Sequence, residues 1–429
     1  MRNITLLLLS VSLLGLAPSA GADGMLDPSF GNGGIVLTDI YTPNQPSGAT
    51  AVMVLPDGRA VAVGSGSNLA FGFMAAVRYL PSGALDPSFG NGGIASHSGG
   101  PFPNGAVAED GFLQPDGRLV LFGTYFNFQG QRSFALVRLT DSGASDPTFG
   151  TNGYVNGPAG MAVAGVLQPD GRIVAAGNPG SQPSHLIAAR CDANGSPDLT
   201  FGVGGVVTLS LAQGITVRDV ALQPDGKLVI GGLYSSGAGD FIVVRLLPNG
   251  AVDPSFDGDG VATSDFGGAE SGYSVIVQPD GRIVLAGSRD GDFALVRYLP
   301  DGSLDTTFGT GGLATAGSGV PEHAEDVILL PNGKLLVAGF TSETANEDFE
   351  LARFHPDGVL DTSFGTAGLL RTDVGNYDEC YAVSLAGPDL VLTAGTRKDS
   401  ASPFPASSSI ALARYIATTP VELLSFEVE

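Results

Sequence analysis

Hydrophobic residues in this chain come in short runs rich in Val, Ile, Leu and Phe, each bounded by Pro, Asn, Asp or Gly. Runs of this length with such boundaries predict strands rather than helices. In "FALVRYL", Phe293 and Leu295 share one face while Ala294, Val296 and Tyr298 share the other, so both faces are apolar. A strand of that kind must be covered on both sides. Where two runs flank "PDG", the fixed proline dihedral and the permissive glycine predict a tight turn, and hence a hairpin.

The pattern recurs. An Asp-x-Ser/Thr-Phe phrase places Phe30, Phe89, Phe149, Phe201, Phe256, Phe308 and Phe364 in equivalent positions; "LDPSFGNGG" at residues 26–34 returns unchanged at residues 85–93. A second phrase is a turn between apolar runs, from "LPDGRAVAVG" to "LPNGKLLVAG", with a worn last copy in "AGPDLVLTAG". The third is an apolar run ending in arginine, such as "MAAVRYL" and "IALARYI". Each occurs seven times at a spacing of 52 (Phe149 to Phe201) to 61 (Arg353 to Arg414) residues.

Around residues 273 to 314 one repeat reads as four strands, "YSVIVQ", "RIVLAG", "FALVRYL" and "GLATA". Four-stranded units covered on both faces by like neighbours predict an all-β, seven-bladed β-propeller over residues 23–416. A β-helix needs shorter coils, and a leucine-rich solenoid needs a helix or short turn in each repeat. The chain opens on an Asp-x-Ser-Phe phrase followed by "GIVLTDI" and its last run is the third strand of a blade, so the N-terminal strand is expected to complete blade seven and latch the ring.

Constant spacing marks a further relationship. An aspartate follows the strand-ending arginine by eight residues in six copies: Arg78 and Asp86, Arg138 and Asp146, Arg190 and Asp198, Arg245 and Asp253, Arg297 and Asp305, Arg353 and Asp361. A buried guanidinium needs its donors satisfied, and a carboxylate across the next turn accepts two of them. These pairs read as pins at the blade corners; a ligand-binding role is the competing reading. Arg414 has Glu422 at that spacing instead, and a latched ring predicts that it meets Asp27.

The first 22 residues carry Arg2, an apolar run from Ile4 to Leu16 and then small residues, the form of a signal peptide cut after Ala20 or Ala22. The run is too short to span a bilayer, no later segment is long enough, and no cysteine follows it for lipid attachment. An exported chain without membrane insertion is expected, at the cell surface or free, with a periplasmic location also open. Two cysteines, Cys191 and Cys380, lie in distant repeats; Cys191 fills a slot held elsewhere by Tyr79, Leu246 and Tyr298, so no disulfide is expected. The formal charge of -23, without a long run of one sign, disfavours nucleic acid and anionic lipid as partners. A protein or glycan partner and a monomeric state are expected.

If repeated residues are structural, function should lie where copies differ. Five residues before the proline of the "QPDG" turn the copies read Ala51, Asp110, Ala164, Asp219, Ser274 and Asp326, and the worn copy Ala382. Asp110, Asp219 and Asp326, at the start of innermost strands, either ring the channel mouth and take a cation such as calcium or a polyol, or merely begin strands beside a turn. Asp257 and Asp259 in "FDGDGV" are a fragment of a calcium loop without its distal glutamate. His97, His185, His323 and His355 lack metal-ligand spacing, and no nucleophile elbow, phosphate loop or dinucleotide fingerprint occurs. No resident cofactor is implied. Tryptophan, a common platform for sugar rings, is absent. The sequence therefore favours a non-catalytic binding or structural module, with an enzyme or metal-dependent binder at the channel mouth as the alternative.

The "LDPSFG…QPDGRIVLAG…FALVRYLPDG" pattern resembles the delta-60 repeat family of bacterial exported proteins along nearly the whole chain. That resemblance implies architecture and export and carries no general activity. The tail at residues 417–429, with "TPVELLSFEVE", resembles the opening of C-terminal sorting regions in secreted Bacteroidetes proteins, without the domain that would follow.

Overall fold

Each two-faced apolar run becomes a strand, and the strands group into seven antiparallel sheets with no helix among the described residues. The computed structural model describes residues 23–40, 45–67, 72–97, 105–127, 129–180, 185–343, 346–400 and 407–417. The expected signal peptide at residues 1–22 and all but the first residue of the tail lie outside them. Blades one to six, residues 47–97, 106–159, 161–210, 215–264, 270–316 and 322–372, each contain four strands paired in chain order. The protein is a seven-bladed β-propeller.

Packing follows the two-faced pattern. In blade five, Phe293 and Leu295 pack with Ala324, Val337 and Phe354 of blade six. Ala294, Val296 and Tyr298 from the same strand pack with Val229, Phe241 and Val243 of blade four. Each blade is thus buried by its neighbours, and the hydrophobic core is a ring of interfaces between blades. The seven phenylalanines of the repeated phrase sit in these interfaces, none more than 2% exposed.

Blade seven (residues 377–416) closes the ring. Its third strand, Ser408–Ile416, is met by two short N-terminal strands, β1 (Met25–Leu26) and β2 (Ile35–Thr38). Met25 lies opposite Ile416, and Ile35 to Thr38 lie opposite Ala413 to Ile410. On the inner side Ser47 of blade one donates its amide and hydroxyl to Ser408 at 3.0 and 2.8 Å. The N-terminus therefore supplies the outermost strand of the last blade, in two segments, and Ser408–Ile416 has no free edge.

Candidate functional site

The seven arginines form a belt on the face that carries the "PDG" turns. In every copy Nε donates to Oδ2 of the phrase aspartate: 2.7 Å for Arg78 and Asp86, 2.8 Å for Arg138 and Asp146, for Arg190 and Asp198, for Arg245 and Asp253 and for Arg297 and Asp305, and 2.6 Å for Arg353 and Asp361. Arg414 makes the same bond to Asp27 at 2.8 Å; Glu422 lies outside the described residues.

The structure differs from a simple two-donor pin. Oδ1 of each aspartate is taken by the amide and hydroxyl of the Ser or Thr two residues on, as in Asp146 with Thr148 at 3.0 and 2.7 Å. The carboxylate's second oxygen is therefore closed to the arginine, whose Nη1 reaches the next blade instead. Arg78 donates to the Asp141 carbonyl (2.6 Å), Arg138 to Ala193 (2.5 Å), Arg190 to Pro248 (2.5 Å), Arg245 to Pro300 (2.5 Å) and Arg297 to Pro356 (2.5 Å). Arg353 donates to Ala417, just past the last strand of blade seven, and Arg414 to Pro81 of blade one at 2.7 Å. Every guanidinium also stacks on the phrase phenylalanine, from 4.4 Å for Arg297 on Phe308 to 4.7 Å for Arg353 on Phe364. Burial works against ionisation of Asp253 and Asp361, yet hydrogen bonds from their serines and lysines and the pin charges hold both carboxyls far below the usual range. Nε and Nη1 of every one of these arginines donate within the belt, which joins the blades.

A second belt lies on the channel wall. Each innermost strand carries a bulge, for example between Ala108 and Asp110, Val217 and Asp219, and Ala324 and Asp326. Asp110, Asp219 and Asp326 are therefore not strand starters: each is the fifth residue of its strand, just past the bulge. One oxygen accepts the amide of the following residue, Gly111, Val220 or Val327, at 2.6, 2.7 and 2.8 Å. The other accepts an amide of the next blade, Gly165 at 3.0 Å, Val275 at 2.8 Å and Val383 at 2.8 Å. These clamps join blades two to three, four to five and six to seven. The intervening junctions are joined from second strands: Ser65 to the Ala108 amide (2.8 Å), Asn178 to the Val217 amide (2.9 Å) and Ser288 to the Ala324 amide (3.2 Å).

The bulge turns the preceding residue toward the axis. Thr50, Glu109, Val163, Arg218, Tyr273, Glu325 and Tyr381 consequently line a central chamber of about 500 Å³, with the clamp aspartates in its wall. Arg218 lies over the Tyr273 ring at 4.9 Å, and the Tyr381 hydroxyl donates to Glu379. The carboxyls face the chamber on one side and have protein on the others, so the charged form is poorly solvated. Burial lifts Glu109 to about 7 and Glu325 to about 8, with the Arg218 charge opposing in both. Burial likewise lifts Asp219 to about 8, helped by the charges of Asp110 and Asp326 and opposed by the Val275 amide. Asp110 and Asp326 rise to about 6 by burial against their amide donors. Near neutrality the chamber offers carboxylic acid donors and carboxylate acceptors together, one guanidinium and two phenol rings.

Sequence reasoning overlooked Glu109, Arg218, Tyr273 and Tyr381. Their signal was one residue away: the position before the compared one varies more, reading Thr, Glu, Val, Arg, Tyr, Glu and Tyr around the ring. Asp257 and Asp259 sit apart in the turn of the phrase, where Asp257 adopts φ 48° and Asp259 accepts the Val261 amide at 3.0 Å. Burial, with Asp259 and Asp301 nearby, pushes Asp257 upward. Cys191 and Cys380 are free and buried.

Six segments, residues 55–89, 114–149, 168–201, 223–256, 278–308 and 330–364, match the model of a family described as "Domain of unknown function (DUF5122) beta-propeller". No curated protein matches the chain. Similar solved structures include a protein of unknown function from Dyadobacter fermentans DSM 18053, 12% identical over 89% of this chain and 99% of that one, with a TM-score of 0.45. Sqt1 from Chaetomium thermophilum bound to the N-terminus of the ribosomal protein L10 is 15% identical over 87% and 89%, with a TM-score of 0.48. The polysaccharide lyase Uly1 is 11% identical over 94% of both chains, with a TM-score of 0.49. Nothing about function follows from likenesses this distant.

Proposed function

We propose, for a chain that carries DUF5122 β-propeller repeats from blade one to blade six, that it is an exported, monomeric, non-catalytic binding module of the delta-60 repeat kind, whose site is the central chamber. One observation supports this most: the arginine pins repeat on every blade, whereas the side chains that face the axis are of five kinds on the seven blades. A hydroxyl-rich molecule such as a glycan end or a polyol suits a wall that mixes carboxylic acids, carboxylates, one guanidinium and the faces of Tyr273 and Tyr381. The test is a thermal-shift screen of the full mature chain against mono- and oligosaccharides and polyols. A ligand whose effect disappears in Arg218→Ala supports the reading; failure of the whole panel removes it.

A second reading, an enzyme, draws on Glu109 and Glu325, whose carboxyls hold a proton near neutral pH in a cavity large enough for a substrate. It requires that a bound ligand be turned over and that Glu325→Gln abolish turnover while leaving binding intact.

A further inference from the structure

On the face opposite the arginine belt, carboxylates meet at two junctions between blades. At the junction of blades four and five these are Asp240, first in its strand, Asp265, just past the next strand, and Glu270, first in the innermost strand of blade five. At the junction of blades six and seven they are Asp348, Asp373 and Asp378. In each group the three residues offer oxygens within 4.8 Å of one another. The two groups are equivalent in the repeat. Asp240 and Asp348 stand five residues before the pins Arg245 and Arg353, and Asp265 and Asp373 each follow the residue paired with the next position, Ser264 with Phe241 and Thr372 with Phe349.

Both groups contain a carboxylate oxygen with no donor. Glu270 is 1% exposed and its Oε1 is met by Arg289 at 3.3 Å, while Oε2 is buried without a partner. Asp378 is fully buried; its Oδ2 accepts the Val374 amide at 2.7 Å, and Oδ1 is buried without a partner. A buried, unmatched carboxylate oxygen beside two further acids is costly unless a cation or a proton meets it, and a cation would meet all three acids at once. The junction between blades five and six differs in the middle acid: Gly317 takes the place of Asp265 and Asp373, although Glu322 there, with Oε1 on the Ser318 amide at 2.5 Å, likewise keeps Oε2 buried without a partner.

We propose that these two junctions are divalent cation sites of the calcium class, with Asp240, Asp265 and Glu270 as ligands in one and Asp348, Asp373 and Asp378 in the other. Three hard oxygen donors with room for water suit Ca²⁺ better than a nitrogen- or sulfur-seeking metal. The exposed members, Asp265 and Asp373, give the ion a path from solvent. Each site bridges two blades, so occupancy fastens a face that the arginines do not reach. The proposal is independent of what the chamber binds.

The experiment is calorimetric titration of the chelator-treated mature chain with CaCl2 alone, repeated on Asp265→Asn, Asp373→Asn and the double variant. The expected stoichiometry is two ions for the natural chain, one for each single variant and none for the double variant. Tb³⁺ provides a second readout, because Tyr234 lies opposite Asp240 and Tyr377 adjoins Asp378, so tyrosine-sensitised emission should fall by about half in each single variant. The metal-free midpoint of the double variant should match or exceed that of the natural chain, which separates lost binding from lost folding. No binding at about 10 mM Ca²⁺, well above the range of weak extracellular sites, or a stoichiometry unchanged in the double variant, overturns the proposal.

Discussion

Arg414 of the last blade donates through Nη1 to the carbonyl oxygen of Pro81 in the first, 2.7 Å away and 333 positions back along the chain. The bond is the seventh of a series in which each blade's arginine holds the next blade, and it makes the series a closed circle. Cutting the circle at any one point should therefore weaken two blades at once.

In Arg297→Ala, Asp305 is left buried without its main counter-charge and the blade six contact at Pro356 is lost. A loss of about 3–5 kcal/mol is expected, as for other broken buried pairs. Adding Asp305→Ala should cost less than the sum of the single changes. Urea denaturation of the three variants measures this. The equivalent loss for Arg414→Ala should be smaller, since Arg414 and Asp27 are each 11% exposed at their side chains against 9% and 3% for Arg297 and Asp305.

Removal of residues 23–38 takes away β1 and β2 and leaves the strand Ser408–Ile416 with an open edge. The shortened chain should unfold at least about 5 °C lower and associate through that edge, read by differential scanning calorimetry and light scattering.

The ring, its blade number and its latch were legible because a period-two apolar pattern repeated seven times leaves few alternatives. The eight-residue spacing of Arg297 and Asp305 was legible for the same reason. The reach of Arg297 to Pro356 was not, because it joins positions set by the rotation between blades, which no local pattern encodes. The chamber was displaced by one residue for a similar cause: the bulge at Glu109 and its counterparts swaps which neighbour faces the axis, and apolar alternation carries no trace of one extra residue.

The chamber carboxyls and the pin aspartates give opposite pH dependence. Asp219 and Glu325, both lifted to about 8, hold protons in the folded chain that the unfolded chain releases near pH 4. Their contribution is complete below that pH and is lost as pH rises toward 8. Asp253 and Asp361, held low, contribute above about pH 4 and lose that contribution in stronger acid. Stability should thus peak near pH 4 and fall by several kcal/mol by pH 8.5, since each of the two carboxyls is lifted across several tenfold steps in acidity constant and each step is worth about 1.4 kcal/mol. Asp219→Asn should flatten the alkaline side of that curve, measured by denaturation at a series of pH values.

Cys191 and Cys380 are enclosed in the blade interfaces, and burial pushes the Cys191 thiol up to about 12. An aromatic disulfide reagent should find no reactive thiol in the native chain and two after unfolding in guanidinium.

On the proposed reading, the repeated residues hold the ring while the axis-facing residues bind. Its most direct test is the variant Glu109→Gln, Arg218→Met, Glu325→Gln, assayed for thermal midpoint and for binding of whichever saccharide or polyol shifts the natural chain. The expected midpoint equals or exceeds that of the natural chain at pH 7.5, because buried acids become neutral, and affinity falls at least tenfold. Undiminished affinity in a folded variant would contradict that reading and place the binding surface elsewhere on the propeller.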